Sequence, residues 1–86
     1  MIKTAQTVAE CTVTGRGERP AVRYILLLEG KVGGPNVYSL ICKSEDDEAV
    51  MPDIARNEEA ALTLFSVFVR NTVTPMGCFD VIEELI

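Results

Sequence analysis

The chain has 86 residues, 48% of them apolar, and a net charge of −5. That length holds one domain, 1–86, with one core, and that composition excludes a disordered chain. An acidic balance argues against nucleic acid or an anionic membrane as the main partner.

The charge is unevenly spread. Residues 1–43 carry six Lys/Arg against three Glu, and residues 44–86 carry two Arg against ten Asp/Glu. No run of 18 apolar residues occurs, and the first residues show no charged-then-apolar leader pattern. The expected setting is therefore the cytoplasm. Three cysteines (Cys11, Cys42, Cys78) leave one unpaired whatever the others do, and there is no Cys-x-x-Cys and no histidine. This usage fits a reducing compartment.

The first predicted element is a strand over Thr7–Thr14, rich in β-branched residues. Ala9, Cys11 and Val13 alternate onto its inner face, and Glu10, Thr12 and Thr14 onto the other. A turn follows over Gly15–Pro20. Next comes the longest apolar run, Val22–Leu28, too short for a core helix and rich in strand formers. Its inner set is Val22, Tyr24, Leu26 and Leu28. Its other set is Arg23, Ile25, Leu27 and Glu29.

A glycine-rich connection over 30–36 leads to a third strand, Val37–Lys43, with Tyr38, Leu40 and Cys42 inward. Short connections favour an antiparallel meander. Ala49–Ile54 reads as a short fourth strand, and Pro52 confines it to a sheet edge.

The last third is helical. Asn57 suits an N-cap, with Glu58 and Glu59 in the positive first turn. Ala61, Leu62, Leu64, Phe65, Phe68, Val69 and Val73 span an apolar face, while Val67 falls on the polar side and is expected to be exposed. Thr74-Pro75 starts a second helix, with Cys78, Phe79, Val81, Ile82, Leu85 and Ile86 on one face. The expected fold is α+β: an antiparallel sheet of three to four strands with two carboxyl-terminal helices on one face.

Pro52-Asp53-Ile54 before a helix, Thr74-Pro75, and the closing Asp80-Val81-Ile82-Glu83-Glu84-Leu85 carry a resemblance. With the Tyr38 strand, this last third resembles a family of small uncharacterised proteins from clostridia and their relatives. The resemblance implies strands, then a helix, then a proline-started terminal helix, in a bacterial cytoplasm. It implies no activity.

Each candidate chemistry has a plainer explanation in the same residues. The three cysteines all fall on inward faces, a placement that leaves open whether they meet in the core. A thiolate site needs further ligands, and no histidine supplies one, so they read as small buried hydrophobes and no metal is expected. Gly30-Lys31-Val32-Gly33-Gly34 lacks the spacing of a phosphate loop. Arg16, Arg19 and Lys31 are the candidate anion contacts, but a meander sets their two loops at opposite ends of the sheet. Glu45–Glu48 lacks the alternation of a calcium loop. No nucleophile motif is present, so no enzyme and no cofactor are expected.

What remains is surface. The outward set of the second strand joins Val37 and Ile41 of the third into an apolar centre rimmed by charge, the composition of a protein–protein site. The candidate interface residues are Arg23, Ile25, Leu27, Val37, Ile41 and Val67. The expected function is a non-enzymatic interaction or regulatory module that self-associates through this face. The alternative is a small-molecule or anion-binding domain using the basic amino-terminal loops.

Overall fold

The computed structural model describes residues 3–14, 21–31, 33–34 and 36–85, with the backbone alone at 3, 4, 31 and 85. Four strands come first: β1 (Lys3–Val13), β2 (Val22–Lys31), β3 (Val37–Lys43) and β4 (Glu48–Ala55). They pair antiparallel in chain order, β1-β2-β3-β4. Two helices follow, α1 (Glu58–Arg70) and α2 (Cys78–Leu85), the second entered through a 3₁₀ turn at Pro75–Gly77. The fold is α+β, with both helices on one face of a four-stranded meander.

The register sorts side chains into two faces. Cys11, Tyr24, Cys42 and Ala49 form one inward row, and Ala9, Leu26, Leu40 and Met51 the next. Tyr24, Leu26, Leu40 and Cys42 are fully buried. They pack in one cluster with Ala61, Phe68, Val73 and Cys78 from the helical layer. A strand apolar on both faces thus has cover on one face only.

Two irregularities interrupt the ladders. Thr7 pairs with Leu27 and Ala9 with Leu26, so Val8 is an extra residue in β1. It turns inward and packs against the core. This bulge carries the strand back to Lys3, further than the alternation of 7–14 indicates, along a β2 that continues to Lys31. Between β3 and β4, one residue, Ser39, stands opposite three, Pro52, Asp53 and Ile54. Asp53 there has φ 52°, a left-handed conformation that aspartate tolerates better than most residues. Pro52 lies on the edge strand, where its missing N–H is least costly.

Helix α1 begins as the sequence indicates: the Asn57 side chain accepts from the Ala60 N–H at 2.8 Å. Its inner stripe is Ala61, Leu64, Phe65, Phe68 and Val69. Leu62, at the margin of that stripe, is exposed instead of buried, and Val67 is half-buried instead of exposed. Thr74 makes no side-chain cap, although Pro75 opens the next turn as expected. Phe79, assigned to the apolar face of α2, is exposed; Cys78, Val81 and Ile82 make that contact. An eight-residue helix meets the sheet along one narrow line, and Phe79 lies off it.

The end of α1 is a Schellman motif. The Thr72 N–H donates to the Val69 carbonyl at 3.2 Å and the Val73 N–H to the Phe68 carbonyl at 3.1 Å. Thr72 occupies the left-handed position, with φ 48°, where a β-branched side chain is strained and glycine is not. Its side chain is exposed. Thr72→Gly is therefore expected to stabilise the protein by about 0.5–1 kcal/mol, the relief of strain exceeding the entropy of a freer unfolded chain. Urea melts of the two proteins measure it, and a lower midpoint in the variant would refute it.

Candidate interaction face

The face of the sheet away from the helices is built from the outward set of each strand. Glu10, Ile25, Ile41 and Val50 form its central row. Thr7, Leu27 and Ser39 lie on one side of that row, with Ala5, Glu29 and Val37 beyond them. Thr12, Arg23, Lys43 and Glu48 lie on the other side. Ile25, Leu27, Ile41 and Val37 are half-buried by one another, and Val50 is 47% exposed.

Five of the six interface candidates thus share this face. Val67 does not. It stands on α1, across the sheet from the others, because that helix covers the opposite face. Val50 belongs to the face although sequence reasoning passed it over. The signal was alternation in β4, where Ala49 and Met51 point inward and Val50 between them must point out.

The rim is paired within the sheet. Arg23 Nε and Nη2 both donate to Glu10 Oε1, at 3.0 and 2.6 Å. Lys43 Nζ lies 3.7 Å from Glu48 Oε2. At the other end, Ser39 Oγ donates to Glu29 Oε1 at 2.5 Å and accepts from the Asp53 N–H at 3.4 Å. Ser39 points outward, yet it is buried, because the bulge of β4 brings Asp53 onto it. Arg23 and Glu29 sit on the same face of β2 about 20 Å apart. One end of the apolar row therefore carries Arg23 and Lys43 with their acidic partners, and the other carries Glu29 and Asp53.

The remaining candidates lie elsewhere. Arg16 and Arg19 fall outside the described residues, and Lys31 is described by its backbone alone. Val13 pairs with Val22 at one end of the β1–β2 ladder and Lys3 with Lys31 at the other.

The cysteines meet in part. Cys11 and Cys42 flank Tyr24 across the register, and Cys42 and Cys78 are within side-chain hydrogen-bonding reach inside the core. Cys42 Sγ and the Tyr24 hydroxyl both donate to the Val73 carbonyl, at 3.3 and 2.7 Å. Burial pushes the thiols of Cys42 and Cys78 above their ordinary range, which holds them in the unreactive protonated form. Among the described residues, no group of three or more Cys, Asp or Glu is arranged to hold a metal ion. Among them too, no helix is long and apolar enough to cross a membrane.

Comparison with protein-family models, curated proteins and solved structures gives no match.

Proposed function

We propose that the protein is a non-enzymatic interaction module that self-associates through the uncovered face of its sheet. The observation that carries this reading is the row Ile25, Ile41 and Val50 with Leu27 beside it, aliphatic side chains on a face that no helix among the described residues crosses. Burying aliphatic surface of this kind contributes about 25 cal/mol per Å². The rim supports the same reading. Arg23 and Lys43 are already paired in the plane of the sheet with Glu10 and Glu48, so covering that end strands neither cation alone. A two-fold axis through the row sets the Arg23–Lys43 end of one copy over the Glu29–Asp53 end of the other, which is the self-complementarity a symmetric dimer needs.

Leu27→Lys tests it. Leu27 is half-buried on the open face, so a lysine there keeps its ammonium in water and leaves the fold intact. Sedimentation equilibrium is expected to give a smaller assembly for the variant than for the parent chain, with superimposable far-UV circular dichroism. A parent chain that remains monomeric at millimolar concentration would refute self-association.

A further inference from the structure

The two edges of the sheet are unlike. The β4 edge is blunted: Pro52 has no N–H to offer, two further residues than β3 requires break the ladder, and Asp53 is turned left-handed. Over Ala5–Thr12 the β1 edge has no proline and no left-handed residue, and its one interruption is the single-residue bulge at Val8. It runs Ala-Gln-Thr-Val-Ala-Glu-Cys-Thr, without proline or glycine, and no described strand pairs with its outer side. Such an edge is a template for another strand.

The bulge at Val8 makes this edge complementary to itself. Before it, Ala5 and Thr7 point to the open face with Glu29 and Leu27, and Gln6 to the helical side with Leu28. After it the parity reverses: Glu10 and Thr12 point to the open face, and Ala9 and Cys11 to the helical side. Val8 itself packs against the core beside Ala9. Lay a second β1 antiparallel, with the two-fold axis between Val8 and Ala9. Ala5 then stands opposite Thr12, Gln6 opposite Cys11, Thr7 opposite Glu10, and Val8 opposite Ala9. Every pair lies on one face, which no strictly alternating strand achieves in that register.

Charge selects the same arrangement. It keeps the two Glu10 side chains roughly 10 Å apart along the strands, each opposite a threonine. An in-register parallel pairing would set them side by side at about 5 Å, with like charges facing.

We infer that β1 pairs with the β1 of a second copy of this chain, antiparallel about an axis between Val8 and Ala9, joining two sheets into one of eight strands. The interface is separate from the apolar face, so the two readings stand or fall independently.

Gln6→Cys tests the register. Positions 6 and 11 are about 16 Å apart along one strand, far beyond the reach of a disulfide, but face each other across the inferred axis. Treated with diamide, the facing thiols each lose a proton and an electron, the S–S bond forms, and the diazene becomes a hydrazine. The expected product is a covalent dimer on a non-reducing gel, abolished when Cys11→Ser is added. Failure to cross-link, or a cross-link that survives Cys11→Ser, would overturn the register.

Thr7→Glu is the second arm. It sets a carboxylate opposite Glu10 twice per dimer while leaving an exposed position of the monomer unburdened. Sedimentation is expected to show dissociation, and Thr7→Lys tighter association. A parent dimer that Leu27→Lys dissolves and Thr7→Glu leaves whole would place association on the apolar face and overturn pairing through β1.

Discussion

Phe68→Ala is expected to cost about 3–5 kcal/mol. Phe68 is the largest helical side chain with no exposure, and it belongs to one core cluster with Tyr24, Leu26 and Leu40 of the sheet. A chain of 86 residues has a total stability of roughly 4–13 kcal/mol. Removing the ring therefore takes away a large part of what holds the helices on the sheet, since a chain this small relaxes poorly around a cavity of that size. Chemical denaturation followed by circular dichroism measures it. A loss below about 1 kcal/mol would mean that the helical layer is not the main cover of the sheet.

Alkaline pH is expected to destabilise the protein through three buried acids. Tyr24, Cys42 and Cys78 are all fully buried. Burial raises the phenol of Tyr24 well above its ordinary range, and the neighbouring thiols Cys42, Cys78 and Cys11 add to it. Burial likewise raises Cys42, against a lowering hydrogen bond with Cys78. Cys78 is raised by burial first and then by Cys42. In the unfolded chain the thiols ionise near about 8.5 and the phenol near about 10.

Below about pH 8.5 both states hold the same protons, and the contribution of these groups is complete. Above it the unfolded chain releases protons that the folded chain keeps, so stability falls. The slope is about 1.4 kcal/mol per pH unit for each group that the fold keeps protonated while the unfolded chain releases its proton. Stability is expected to fall progressively above about pH 8.5, and more steeply once the phenol joins at about pH 10. Urea melts at pH 8, 9 and 10 measure the slope, and Cys78→Ala should lower it by one group. A stability unchanged from pH 8 to pH 10 would exclude the mechanism.

The main layout was legible because it rests on local rules. Alternation in Val22–Leu28 separated Tyr24 and Leu26 from Ile25 and Leu27, and the register keeps that division. Asn57 followed by two glutamates marked the start of α1 at the right residue. Pro52 marked an edge strand, and the strand is there.

What was not legible depends on partners distant in sequence. Nothing in Thr7-Val8-Ala9 announces an inserted residue; it is defined by the count of residues on β2. Ser39 reads as a solvent-facing position, and it is buried because a bulge on β4 closes over it. Phe79 fits an apolar stripe as well as Val81 does, and only the line of contact between α2 and the sheet separates them. The open face was read through Ile25, Leu27, Val37 and Ile41. Val67 was added to it by exposure on a helical wheel, which carries no information about which layer the helix joins.

The meander also bears on the order in which the protein assembles. Each ladder joins a strand to its neighbour in the chain, so each closes a short loop at small entropic cost. The hydrogen bond from Tyr24 to Val73 spans 49 residues, and the helical layer is the part of the fold that waits on such distant closure. We expect the sheet to form first and the helices to dock late on the folding pathway. Phe68→Ala reads this kinetically as well. Its destabilisation should appear as faster unfolding with little change in the folding rate, and a matching loss in the folding rate would reverse the order.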